Sequence, residues 1–441
     1  MKRWNATKII AFGFALIILL GALLLTIPQA SRDGSWTSFP DALFTAASAS
    51  CVTGLAVFDT WTHFSFLGQL IILLLIQIGG LGFMAFSMLF SLSFGRRIGL
   101  RERSLLEDTL DSLQLSGVIR LTRRMLLGTL LFEGTGTLLL SVRFVPMFGV
   151  GRGIWFSVFH AVSAFCNAGF DLMGIRAPGS SLTGFAGDPL VILTLSFLIL
   201  VGGLGFIVWN DLIEKKFCVR KLSLHAKVVL SLTALLLVGG TAVFYVTEFS
   251  VSLRGMSGGE KLLASFFQSV TTRTAGFYSV PQTALSNAGY FVTLLLMTIG
   301  AAPGGTGGGL KITTIAVIAA DVSTQRRGRE DTELFHRRIS TDVIRRAYCG
   351  TALYLVLAAI GVFILTAQGI SGGKAVYEVL SAIGTVGLSL DLTASLPALS
   401  RLAIILLMYA GRVGSLTVFT AITPGSRRKN LRDPMGKIIV G

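Results

Sequence analysis

Long apolar runs broken by short polar stretches set the pattern of this chain. The first runs from Ile9 to Ile27. A polar stretch from Pro28 to Pro40 follows, then a half-length apolar segment from Asp41 to Ser50, then a full-length run from Gly68 to Leu92. The runs are continuous and do not alternate with period two, which predicts helices and argues against a barrel. A helix rises about 1.5 Å per residue and needs about 20 residues to cross a hydrocarbon layer of about 30 Å, so the segment from Asp41 to Ser50 enters and comes back out. Its return passes through Val52-Thr53-Gly54-Leu55.

The unit of long span, short re-entrant helix, Gly-containing loop and long span recurs. Its second copy has a span from Ile119 to Val145, a short helix from Ile154 to Phe165, the loop Asn167-Ala168-Gly169-Phe170 and a span from Leu190 to Trp209. Gly-Gly-Leu-Gly-Phe stands inside the second long helix of both copies, ending at Phe83 and Phe206. A third copy has a span from Leu224 to Phe249, a short helix from Glu260 to Ser269, the loop Thr274-Ala275-Gly276-Phe277 and a span from Tyr290. The fourth has a span from Asp342 to Ala367, a short helix from Lys374 to Ala382, the loop Thr385-Val386-Gly387-Leu388 and a span from Leu399 to Ile422. Internal repetition of this kind predicts an all-α polytopic membrane protein of four pseudo-repeats around a central pore. The repeats divide the chain into 1–95, 96–212, 213–325 and 326–424, with a tail at 425–441.

Composition agrees, with 52% hydrophobic and 14% charged residues against roughly 25% charged in soluble domains. The net charge of +16 would suggest nucleic acid in a soluble protein. Here most lysines and arginines cluster at the N-terminus (Lys2, Arg3, Lys8), in Arg96–Arg124, Lys215–Lys227, Arg326–Arg346 and Arg427–Lys437, all on one side if each unit crosses twice and dips once. The positive-inside rule then makes about eight spans with both termini cytoplasmic, in a multi-pass plasma-membrane protein with no nucleic-acid partner. The first run is too long for a signal-peptide core and no small-x-small cleavage site follows it, so it is kept as a span. Cys51, Cys166, Cys218 and Cys349 form no Cys-x-x-Cys pair and no metal grouping with His63, His160, His225 or His336, so redox and zinc chemistry are not implied.

Aligned on their glycines, the four loops share only Gly54, Gly169, Gly276 and Gly387. A loop that turns its carbonyls towards an axis needs unusual φ/ψ values, which glycine adopts freely. Thr385-Val386-Gly387 also matches the first three residues of the Thr-Val-Gly-Tyr-Gly signature of potassium-channel filters. With these features the whole chain resembles the Trk/Ktr/HKT superfamily of potassium transporters, and by its length the Ktr-type membrane subunit. The resemblance implies one filter glycine per repeat, with glycine in all four going with potassium selectivity. The ion-binding set is then Val52, Thr53, Gly54, Asn167, Ala168, Gly169, Thr274, Ala275, Gly276, Thr385, Val386 and Gly387, with potassium held at backbone carbonyls and sodium a candidate activator. It also implies a homodimer on a cytoplasmic ring of nucleotide-binding regulatory subunits. The basic inner loops suit such a ring, the charge rule itself or anionic membrane lipid.

The third repeat departs from the others, since its second helix is interrupted at Gly300-Ala301-Ala302-Pro303-Gly304-Gly305-Thr306-Gly307-Gly308-Gly309. Backbone unpaired at membrane depth is tolerated where it lines water or is buried in protein. The segment Gly304, Gly305, Thr306, Gly307, Gly308, Gly309 therefore reads as a mobile plug or a static kink. The resemblance implies an intramembrane loop that gates the pore. Neither this stretch nor Gly80-Leu81-Gly82 suits a nucleotide, lacking the P-loop lysine spacing and any βαβ context.

Arg412, mid-span in the fourth repeat, should face water or a partner. It is expected to line the pore beside the plug, or else to pair with Glu133. Arg273 reads as a brace for the third loop through nearby carbonyls. Asp59, Asp171 and Asp391 follow three of the loops, as concentrators of cations at the mouth or as helix caps. No grouping of acids, bases or metal ligands suggests an enzyme. A sodium- or proton-coupled secondary transporter is the competing class.

Overall fold

The computed structural model describes residues 6–82 and 118–414. The expected end of the first Gly-Gly-Leu-Gly-Phe at Phe83, its span to Leu92, basic positions 2, 3 and 96–103, the span end at Ile422 and the tail 425–441 lie outside the described residues.

Helices α1 (Ala6–Thr26), α2 (Phe39–Ser50), α3 (Thr60–His63) and α4 (Phe66–Leu81) form the first unit; α5 (Val118–Phe148), α6 (Val150–Phe165), α7 (Pro189–Leu204) and α8 (Phe206–Glu214) form the second. The third has α9 (Leu224–Glu248), α10 (Gly258–Thr271), α11 (Asn287–Thr298) and α12 (Ile312–Arg326). A two-stranded hairpin, β1 (Glu333–Leu334) and β2 (Arg337–Arg338), leads to the fourth, α13 (Thr341–Ala367), α14 (Gly372–Ile383) and α15 (Ala398–Val413). The short helices α2, α6, α10 and α14 start where the sequence offers caps or breakers. Ser257 and Glu260 form a reciprocal capping box on α10, and Ser38 with Pro40 opens α2.

Only the first helix of each unit, over Lys8–Thr26, Thr122–Phe148, Leu224–Glu248 and Thr341–Ala367, is long and apolar enough to span alone among the described residues. Their outer faces carry Leu138, Val238 and Phe363, each 69–72% exposed, a surface suited to hydrocarbon and not to water. The second helix of the second unit is also broken, which corrects the expectation that the third alone is. Helix α4 ends at Gly82 (φ 84°, ψ 139°), α7 turns into α8 by 90° at Gly205 (φ 88°, ψ 144°), and α15 ends at Gly414 (φ 95°, ψ 126°). These conformations leave the helix and carry a steric penalty for any residue with a Cβ. In the third unit, positions 299–311 replace the single glycine.

The units close a ring in one sense. Helix α4 packs on α6 of the next unit, α7 on α10, α11 on α14, and α15 back on α2. An Asp41–Arg401 ion pair ties the fourth unit to the first.

Candidate functional site: the ring of glycine loops

Each re-entrant helix delivers its loop to the ring axis. The residue two before each glycine has a left-handed backbone, at Val52 (φ 56°), Asn167 (φ 59°), Thr274 (φ 73°) and Thr385 (φ 50°), and the glycines follow at 93°, 70°, 83° and 92°. The residues between, Thr53, Ala168, Ala275 and Val386, do not share it. Alternation of handedness along a strand turns successive carbonyls towards one side. Three of the four strained residues are β-branched, for which positive φ is a true outlier of the kind found at functional sites.

Adjacent loops touch through backbone. A Cβ on Gly54 would lie 2.5 Å from the Ala168 carbonyl oxygen, one on Gly169 2.8 Å from Ala275 O, one on Gly276 2.7 Å from Val386 O, and one on Gly387 2.1 Å from Thr53 O. The circuit is complete and leaves no room for a side chain at any glycine.

Hydroxyls of the re-entrant helices hold the loops, a feature that sequence reasoning missed. Ser48 Oγ accepts from Gly54 N (3.1 Å) and Ser381 Oγ from Gly387 N (3.0 Å), while Ser163 Oγ donates to Phe170 O (2.7 Å) and Thr271 Oγ1 to Phe277 O (2.5 Å). A serine six residues before the glycine in three of four loops was the available signal. Two further supports went unnoticed. Buried Glu378 accepts from Ser389 Oγ (2.8 Å) and Thr393 Oγ1 beyond the fourth loop, and His160 Nε2 accepts from Leu172 N (3.3 Å) beyond the second.

On one side of the ring all four glycines line a cavity of about 330 Å³ that also carries Asp59, Asp171, Asp391 and Tyr278. Asp59 lines this cavity and caps α3 through Thr62 N (2.9 Å), the helix-cap reading, while also accepting from Gly179 N (2.9 Å). Asp171 accepts from Met173 N (2.9 Å), and desolvation, aided by the Asp59 charge, pushes its carboxyl up to about 6.

On the other side lies the 299–311 segment. Gly308 N donates to Thr385 Oγ1 (2.9 Å), and the Asn167 amide links Thr274 Oγ1 and Thr306 Oγ1, each at 3.2 Å. The segment also borrows the broken second helix of the second unit: Ala302 N and Thr306 N donate to the carbonyls of Gly203 (3.0 Å) and Gly202 (3.2 Å), and Phe206 N donates to Gly304 O (3.0 Å). A Cβ on Gly307 would meet Thr274 Oγ1 at 2.1 Å and one on Gly308 Thr385 Oγ1 at 2.4 Å, so the segment is seated directly against the left-handed residues.

Arg412 stands in register with Gly80 and Gly203 of the other units. Its guanidinium donates to the carbonyls of Thr306, Gly79 and Gly80, the last at 3.0 Å. It therefore joins the segment to the end of α4. The alternative pairing with Glu133 is not seen: Glu133 accepts from Gln77 Nε2 (3.3 Å), and no Arg412 ion pair occurs among the described residues. Arg273 reaches Thr233 Oγ1 on α9 (3.5 Å) and shows no bond to loop carbonyls, unlike the expected brace. No group of three or more His, Cys, Asp or Glu capable of holding a metal occurs among the described residues.

Four helical units converging on a ring of glycine loops, with acids on one side of it and a glycine-rich segment on the other, define an all-α polytopic membrane protein with a repeated re-entrant architecture. Comparison with known proteins narrows the class. The family described as TrkH, cation transport protein, matches residues 7–427, and the chain belongs to that family. It is 42% identical to the potassium/sodium uptake protein NtpJ of Enterococcus hirae, over 100% of this chain and 98% of that protein. It is 39% identical to Ktr system potassium uptake protein B of Bacillus subtilis, over 100% of this chain and 97% of that one. The crystal structure of the potassium transporter TrkH from Vibrio parahaemolyticus shares the fold, with a TM-score of 0.75, 16% identity, and coverage of 96% of this chain and 86% of that one.

Proposed function

We propose that the chain takes up potassium across the cell membrane through the ring of Gly54, Gly169, Gly276 and Gly387, with carbonyls of the residues from Val52, Asn167, Thr274 and Thr385 onward replacing the ion's hydration shell. The observation that supports this reading is the closed circuit of four loops with alternating backbone handedness, the alternation that turns successive carbonyls to one side of a strand. Relatives named for potassium or potassium and sodium uptake support the choice of ion.

The segment Gly304–Gly309 and Arg412 form the gate in this reading. The segment occupies the space beneath the ring, and the Arg412 cation opposes cations until both move. Asp59, Asp171 and Asp391 concentrate cations at the opposite mouth, which faces outward, so that both termini are cytoplasmic. The protein acts as the translocating subunit, dimeric and coupled to a nucleotide-binding regulatory partner; the name Ktr system, carried by relatives, points to more than one component. Sodium is the candidate activator. The competing class, a coupled carrier with inverted repeats, fits less well because all four units pack onward in one sense.

Flux into liposomes with potassium or sodium outside tests the reading. The protein should pass potassium in preference to sodium, and Gly387→Ser, whose side chain collides with Thr53 O, should lower potassium flux at least about tenfold, which corresponds to about 1.4 kcal/mol. Equal passage of both ions by the unsubstituted protein would falsify potassium selectivity.

A further inference from the structure

Away from the ring, at the end of the molecule that carries the proposed gate, a cavity of about 410 Å³ opens between the first turns of α9, α12 and α13 and the β hairpin. Its lining contains His225, Lys311 and Arg346 and no acidic residue. Threonines 313 and 314, at the N-terminal turn of α12, add hydroxyls and the positive end of a helix dipole. The remaining wall is apolar, with Val228, Val317, Leu334 and Ile339 among its residues. Cations and hydroxyls on an apolar wall suit a ligand with an anionic head and a greasy tail.

Depth identifies the source of that ligand. Leu224 and Val343, both in the lining, stand at the starts of two of the four unbroken spans, Leu224–Glu248 and Thr341–Ala367. The cavity therefore lies where hydrocarbon gives way to headgroups. Further along those spans the surface is apolar and exposed, as at Leu235 (64%) and Leu355 (56%), so acyl chains already border the opening.

We propose that this cavity binds the phosphate headgroup of an anionic phospholipid, and that the bound lipid loosens the 299–311 segment. The link is Lys311, whose Nζ donates to Gly307 O (2.9 Å) within that segment while its side chain lines the cavity. A phosphate beside Lys311 competes with the Gly307 carbonyl for the ammonium and offers the stronger bond, since its acceptor as well as the donor is charged. Transfer of that bond removes one anchor of the segment, and Pro303, also in the lining, places the lipid against its backbone. The lipid acts as an opening ligand. This second half rests on reading the segment as the gate; the binding half does not.

The test separates the two. Native mass spectrometry of the purified protein with added phosphatidylglycerol reads binding. Each of Arg346→Gln and Lys311→Gln should lower retention about fivefold, the worth of about one cation near an anionic surface, and Lys215→Gln, an exposed inner-end cation outside the cavity, should leave it unchanged. Equal retention in all variants, or equal loss in the Lys215→Gln control, overturns the site. Potassium flux is then compared in phosphatidylcholine vesicles with and without phosphatidylglycerol. Higher flux with the anionic lipid, and loss of that increment in Arg346→Gln, supports the coupling. Retention without any increment overturns the coupling and leaves the site standing. Should lumenal inorganic phosphate in neutral vesicles reproduce the increment, the lipid assignment fails in favour of a soluble anion. Failure of the gate reading shows elsewhere, as unchanged flux when the segment is shortened.

Discussion

The second helices of the second and third units break at the same level in different ways. In the second unit one residue, Gly205, bends the chain by 90° and α8 resumes at once. In the third the break spans 299–311, and that extra chain is seated beneath the ring. The two are also partners, since the short break supplies the carbonyls of Gly202 and Gly203 to the long one. A break at the ring is thus shared by two successive units, and the long loop is an elaboration of one of them. What distinguishes the third unit is the amount of backbone released and not the fact of release.

Making the long break short should have the largest effect. Deleting 304–308 removes the seated backbone, and under the proposed gate potassium flux into liposomes should rise on the order of a hundredfold. Unchanged flux in a variant that still melts cooperatively would reduce the segment to a static kink. Arg412→Ala cuts the tie between Thr306 and the end of α4 and removes the cation, for an expected rise of about tenfold. Wild-type flux in that variant would show that the arginine is a strut and no barrier. Gly205→Ala probes the short break: its Cβ would sit 2.7 Å from Pro303 O and its φ is 88°, so a loss of about 1–3 kcal/mol is expected. Thermal melting of the detergent-solubilised protein measures it, and an undiminished melting temperature would mean that the bend tolerates a Cβ.

The repetition was open to inspection because each copy has the same order of long and short apolar runs, and the four loops could be aligned on Gly54, Gly169, Gly276 and Gly387. The helix ends at Gly82 and Gly414 and the bend at Gly205 were not, because an isolated glycine in an apolar run reads equally as a packing glycine. Gly79, Gly202 and Gly411 are of that packing kind, each too close to the last carbonyl of its re-entrant helix (Ser50, Phe165 and Ile383) to admit a side chain. Handedness at Val52, Thr274 and Thr385 was hidden for the opposite reason, since β-branched residues ordinarily avoid it. The placement of Arg412 beside the glycine-rich segment followed from the cost of a mid-span charge, yet its acceptors are main-chain carbonyls, which leave no mark in a sequence.

Three of the four joints in the ring are spanned by the polypeptide itself, whereas among the described residues the joint between α15 and α2 is held by packing and by contacts such as Asp41–Arg401. During synthesis this seam cannot close before the residue at position 401 has left the ribosome. Because the seam carries no covalent link, the linear order of the units is one of four equivalent ways to cut a circle. A chain opened between the second and third units, with its present ends joined by a linker, retains every packed pair.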